Sequence, residues 1–193
     1  EMNVSQALSV TLHDYQPQDG DVLHAILLGL RAPHKMLPSK YFYDARGSEL
    51  FDAICELAEY YPSRTVRGIM EPHLPEMASV LGSRLLLIEP GSGSSLKTKL
   101  LLEALRKPVA YVPVDISRTH LVTAADQLNQ RYPDLEVLPV CADFSQPFEL
   151  PKPSRAIERV AIYFPGSTIG NFEPAAAVRL LKQLRQLAGA DSA

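Results

Sequence analysis

The sequence predicts an α/β fold: a doubly wound parallel sheet, incomplete at four strands, behind an N-terminal helical cap. Two observations carry this expectation. Before Arg84 apolar residues recur only at helical spacing. From Arg84 onward short apolar runs bounded by Gly, Pro or Asp alternate with helical stretches. Such alternation implies parallel strands with helices on the sheet faces.

The elements follow in order. Residues 1–83 form the cap, with helices expected in "DVLHAILLGLRA" and "SELFDAICELAEYY", Asp21 and Ser48 as N-caps, and no strand. Residues 84–193 form the sheet domain, with strands in "RLLLIEP", "PVAYVPVD", "LEVLPVCAD" and "RVAIYFPG". A first helix presents Leu100, Leu101 and Leu105. A second runs from a Ser117 cap through Leu121, Ala125, Leu128 and Tyr132. A third starts at Pro174 and presents Val178, Leu181, Leu184 and Leu187. That helix ends at "AGADSA", where a fifth strand would begin, so the sheet is expected to be truncated. Its fourth strand would then show an unpaired edge, a template for self-association.

Composition narrows the partners. The chain has 193 residues, enough for one domain of ordinary size, and is 46% apolar. A net charge of -3 gives no electrostatic reason to expect nucleic acid or an anionic membrane. Cys55 and Cys141 form no CxxC pair and lie near no histidine at ligand spacing, so both read as reduced core thiols of a cytoplasmic protein, and no metal is expected. The five histidines are scattered. No run reaches the length of a membrane span, and the first residues lack a signal-peptide pattern.

Every polar or glycine-rich element of the second region falls at the carboxyl end of a strand, where open α/β sheets bind ligands. In "EPGSGSSLKT", Glu89, Gly91 and Gly93 follow the first strand and Lys97 adds a cation, but Leu96 stands where a dinucleotide fingerprint or a P-loop needs its last glycine. Asp115 ends the second strand, where a carboxylate accepts from ribose hydroxyls. The third ends in "CADF": Asp143 suits an exocyclic amine and Phe144 a purine face. Gly166 and Ser167 follow the fourth strand and face the same crevice. Glycines for close approach, one cation for a carboxylate, and acids for ribose and adenine together describe S-adenosylmethionine. Each feature taken singly also reads as a turn or helix cap.

The segment "LPSKYFYDARGSELFDAICELAEYYPSR", with "EPGSGSSLKT", "VPVDIS", "CADF" and "FPGSTIGNF", resembles the histidine-specific S-adenosylmethionine-dependent methyltransferases that make trimethylhistidine in ergothioneine biosynthesis. The likeness covers about residues 37–190. It implies a class I, Rossmann-like methyltransferase fold and cofactor contacts from Tyr43, Gly91, Lys97, Asp115, Asp143 and Phe144, to which the strand-end argument adds Gly93 and Gly166. It implies histidine contacts from Tyr60 and Asn171. By spacing alone, Tyr41, Phe42, Tyr43, Tyr60 and Tyr61 read rather as core or interface aromatics of the cap, and "PGSTIGNF" as a tight turn; only the motif match reverses the first reading.

The implied reaction transfers a methyl group from sulfonium to the α-amino nitrogen of a small amino acid, L-histidine being the expected substrate. No dedicated general base is assigned. Members of the family continue beyond the last residue here, so the expectation is cofactor binding without efficient turnover. The alternative is a non-catalytic module that binds adenosyl ligands or serves in interactions. An NAD oxidoreductase is the third reading, opposed by Leu96 and by the Asp143–Phe144 pair.

Overall fold

The structure is a computed structural model that describes residues 10–15, 19–93 and 96–189, without the side chains of residues 19–21, 45 and 96. Its strands are β1 (His13–Asp14), β2 (Leu85–Pro90), β3 (Ala110–Asp115), β4 (Glu136–Val137), β5 (Val140–Cys141) and β6 (Arg159–Ile162). All pair in parallel, in the order β1-β5-β3-β2-β6, with β4 also on β3. The chain winds outward from β2 to β3 and β5, then returns to the other side of β2 as β6. The winding therefore reverses between β2 and β6, which opens a crevice beyond their carboxyl ends.

The helices are α1 (Asp19–Arg31), α2 (Ala45–Cys55), α3 (Pro62–Leu81), α4 (Leu96–Ala104), α5 (Arg118–Arg131) and α6 (Pro174–Ala188). Strand alternation splits the apolar residues between two cores. Leu85, Leu87 and Tyr111 join Leu101, Leu102 and Leu105 at the end of α4, Ala125 and Leu128 of α5, and Ala78 of α3. Leu86, Ile88, Ala110, Val112 and Val114 face the other way, toward Phe148, with Leu187 of α6 packed against them. Both faces of the sheet are thus covered, as parallel sheets require. No helix among the described residues is long and apolar enough to cross a membrane.

The expected third strand is interrupted. Ala110 pairs with Glu136 and Val114 with Val140, so β4 and β5 run beside β3 in one register. The carbonyls of Tyr111 and Asp115 accept from Leu138 and Ala142. Pro113, midway between them, faces the same neighbour and has no N–H to donate, which breaks the ladder.

Several local expectations are corrected. The N-terminal region does supply a strand: β1 pairs with β5, a pairing two residues long that leaves no alternating pattern to read. Helix α2 is capped by Asp44, whose side chain accepts the Gly47 N–H at 2.7 Å, so Ser48 lies inside the helix. Helix α1 begins at Asp19, ahead of Asp21, whose side chain lies outside the described residues. Glu89 is the fifth residue of β2 and buried, rather than part of the loop. Helix α6 buries Leu180 and Leu184 and leaves Val178 and Leu181 about half exposed, because only one of its two apolar stripes meets the sheet. Cys55 is half-buried, whereas Cys141 is buried.

Candidate functional site

Three loops converge at the mouth of the crevice. After β2 the chain turns through Gly91 (φ 69°) and Gly93 (φ 50°), and the N–H groups of Gly91 and Ser92 bond to the Val114 carbonyl at 2.8 and 3.3 Å. Asp115, at the end of β3, accepts the Gly93 N–H on one oxygen and the Ser117 N–H on the other, each at 3.0 Å. After β6, Gly166 (φ 82°) approaches the loop from the far side: a Cβ there would stand 3.2 Å from Lys97 Nζ. Gly91 lies against the ring of Phe144, which meets Phe164 edge-on at 5.9 Å and Phe172 at 6.3 Å.

Asp143 closes the third side. Ser145 donates to Oδ1 through both its N–H (3.0 Å) and its hydroxyl (2.6 Å), and Lys40 Nζ meets Oδ2 at 2.7 Å. Burial alone would raise this carboxyl's pKa, but the hydrogen bonds from Lys40 and Ser145 outweigh it and hold it below the ordinary value. Beneath the loop, buried Glu89 accepts from Thr98 of α4 and Tyr111 of β3. Burial drives its pKa up to about 7 against those two bonds. The hydroxyls of Ser92 and Ser117 are buried and have no partner among the described residues.

The structure therefore gathers Gly91, Gly93, Lys97, Asp115, Asp143, Phe144 and Gly166 around one crevice. Tyr43 and Tyr60 stand on the cap in a row of edge-on rings: Tyr43 to Phe51 at 5.9 Å, Phe51 to Tyr60 at 6.0 Å. The Tyr60 phenol is raised above its ordinary pKa by burial, then by Cys55 and Tyr43. Arg64 locks the turn that carries it by donating to the carbonyls of Leu57 and Ala58. Gly47 lets α2 fold back on the preceding turn, since a Cβ there would lie 1.7 Å from the Phe42 carbonyl oxygen. Asn171 is exposed at the end of a 3-10 turn, Thr168–Asn171, and its neighbour Phe172 contacts Phe144.

Sequence reasoning missed two of these contributors. Lys40 stands three residues before Tyr43 in the quoted cap segment, and its charge beside an aromatic run was the available signal. Arg64 closes the "EYYPSR" block, where Pro62 at the first helical position marks the turn that it staples.

The donor set fits a phosphate-free adenosyl ligand better than a pyrophosphate. Asp115 and Asp143 stand at neighbouring strand ends, and of the two lysines near them Lys40 is already paired with Asp143, which leaves Lys97 without the further cations that a polyanion needs. Ser92 and Ser117 lie in the two loops that Asp115 joins, and their hydroxyls have hydrogen-bonding capacity to spare. Among the described residues no group of three or more His, Cys, Asp or Glu is placed to hold a metal.

Comparison with known proteins agrees with this geometry. Residues 22–193 match the family described as histidine-specific methyltransferase, SAM-dependent. The chain is 39% identical over 160 residues to the histidine N-alpha-methyltransferase of Mycolicibacterium smegmatis, covering 81% of this chain and 48% of that one. It is 33% identical over 159 residues to ergothioneine biosynthesis protein 1 of Neurospora crassa, covering 80% and 18% respectively. The chain thus spans about half the length of the bacterial relative. The magnesium protoporphyrin IX methyltransferase of Synechocystis, solved with bound SAM, superposes with a TM-score of 0.50 at 13% identity, covering 77% of this chain and 69% of that one. That likeness shows the shared class I methyltransferase fold.

Proposed function

Because this chain belongs to the histidine-specific, SAM-dependent methyltransferases, we propose that it binds S-adenosylmethionine across the ends of β2, β3 and β5 and methylates the α-amino nitrogen of a free amino acid. L-Histidine is the substrate of this reading and trimethylhistidine its product, the step named in ergothioneine biosynthesis. The observation that carries it is the convergence of Asp115, Asp143, Phe144, Lys97 and the Gly91–Gly93 turn on one crevice.

The bound cofactor supplies an electrophilic sulfonium methyl. The chain supplies position. Asp115 would receive the ribose hydroxyls, Asp143 the exocyclic amine, Phe144 a purine face and Lys97 the cofactor's carboxylate. The substrate nitrogen must be neutral to react, yet a free α-amino group titrates near pH ~8 and is mostly protonated at neutrality. Desolvation under the cap lowers that value. The Tyr60 phenol, held protonated by its raised pKa, and the Asn171 amide then orient the lone pair through hydrogen bonds rather than by proton abstraction. The Tyr43–Phe51–Tyr60 row offers ring faces to the cation that accumulates with successive methylation. Two free thiols, Cys55 and Cys141, support a cytoplasmic setting.

Calorimetry with S-adenosylhomocysteine, followed by labelled methyl transfer from S-adenosylmethionine to L-histidine, tests the reading. Binding with transfer supports it. Binding without transfer leaves an adenosyl-binding module, transfer to another amine replaces the substrate, and failure to bind removes the cofactor assignment.

A further inference from the structure

Asp143 is a buried carboxylate whose counter-ion comes from the opposite side of the sequence. Its side chain is 7% exposed, and Lys40, 103 residues away, reaches it with a 2.7 Å charge-assisted bond. Other ion pairs of the protein have a different character: Arg46–Glu49, for example, is 73% and 67% exposed and lies within one helix. An exposed pair of that kind contributes little, whereas removing one partner of a buried pair leaves an uncompensated charge. Both carboxylate oxygens are engaged, Oδ1 by the Ser145 N–H and hydroxyl and Oδ2 by Lys40, so the plane of the group is fixed by three bonds. Oδ1 already accepts two donors, whereas Oδ2 accepts only Lys40 and keeps a lone pair free, so the group can accept one more donor without rotating.

We infer that Lys40 is a positioning residue of the adenosine site, which keeps the Asp143 carboxylate ionised and turned to accept the exocyclic amine of adenine, and so sets the preference for adenine over a base that lacks that amine. The inference rests on the reading that the end of β5 receives adenine. Lys40 also sits just ahead of Tyr43, at the start of the aromatic row. The specificity of the purine pocket therefore depends on a side chain delivered by the cap.

Without the ammonium, Ser145 still holds Oδ1, but Oδ2 loses its partner. Burial then favours the protonated acid, and a protonated Asp143 presents a donor hydrogen where the adenine amine also presents one. Inosine, which carries an oxygen at that position, loses nothing by the change. A staple that merely held the cap to the sheet would treat the two bases alike.

The test uses the full chain as wild type, Lys40→Met and Lys40→Arg, with S-adenosylhomocysteine and S-inosylhomocysteine as probes in calorimetry from pH 5 to 8. The wild type is expected to prefer the adenosyl compound by about tenfold or more, the scale of a charge-assisted hydrogen bond. Lys40→Met is expected to weaken adenosyl binding about tenfold, leave inosyl binding within about threefold, and move the acid limb of adenosyl binding to higher pH. Lys40→Arg, which keeps the charge, should recover most of the preference. Equal losses for both probes, or no loss for either, overturn the inference while leaving the cofactor reading intact. So does a wild type that binds both probes equally. A wild type that binds neither overturns the cofactor reading and this inference with it. If Lys40→Met melts non-cooperatively, Lys40→Arg and Asp143→Ala decide. Asp143→Ala, which has no side-chain acceptor, must lose the adenosyl preference, and an unchanged preference in that variant refutes the proposal.

Discussion

Asp115 holds the Gly93 N–H at 3.0 Å while its second oxygen holds the Ser117 N–H at the same distance, so one carboxylate joins the glycine turn to the start of α5. The two bonds shape both loops from within the chain. An amide has a single acceptor oxygen and cannot keep both bonds. Asp115→Asn should therefore lose about 1–2 kcal/mol of stability and bind S-adenosylhomocysteine at least about tenfold more weakly, since the ribose loses its acceptor too. A thermal melt and calorimetry read the two effects separately.

Gly166 and Lys97 make the second test. At φ 82° an alanine is strained, and its Cβ would meet the Lys97 ammonium at 3.2 Å. The lysine end can swing aside, so most of the destabilisation, about 1–2 kcal/mol, comes from the backbone. The displaced ammonium should also weaken S-adenosylhomocysteine binding. Lys97→Met should reproduce the binding defect without the loss of stability, and chemical denaturation of both variants distinguishes these outcomes.

Buried Glu89 gives the protein an unusual pH dependence. Its ordinary pKa is 4.5, and burial raises the folded value to about 7 despite the bonds from Thr98 and Tyr111. Between those values the unfolded chain has released a proton that the native chain retains. This group's contribution is therefore complete below about pH 4.5, falls as pH rises, and is gone above about pH 7. The amount at stake is on the order of 3 kcal/mol. Glu89→Gln should flatten that fall, so urea denaturation of wild type and variant at pH 5 and pH 8 gives the difference. Equal slopes would show that Glu89 ionises normally.

The thiols should separate by burial. Cys141 is buried, and its pKa is pushed up to about 12 by burial and then by Asp14 and Asp115. Cys55 is half-buried and accepts a hydrogen bond from the Ser63 hydroxyl at 3.4 Å. A thiol reagent at pH 8 should label Cys55 alone in the native protein and both residues in denaturant. Mass spectrometry of the labelled peptides checks the assignment.

Much of this architecture was legible because the signals were local. Leu85–Ile88 and Ala110–Val114 are unbroken apolar runs, which is how strands buried on both faces read. The strand ends followed, and with them Gly91, Asp115, Asp143 and Gly166. What escaped was long-range. The β1 strand has two residues and exists only because β5 offers an open edge. The Lys40–Asp143 pair joins residues that no periodicity connects. The buried face of α6 was unreadable for a related reason: Val178–Leu181 and Leu180–Leu184 are both acceptable stripes, and the sheet alone selects between them.

Pro113 interrupts the ladder but leaves β4 and β5 in one register along β3. That continuity constrains which length changes the gene can accept. Deleting one codon between Glu136 and Asp143 would invert the alternation downstream, turning Asp143 toward the side now occupied by Ala142 and away from Lys40, and so removing the adenine contact proposed for it. The helix-free connection from Phe144 to Glu158 carries no such phase, and it is where insertions among relatives should accumulate.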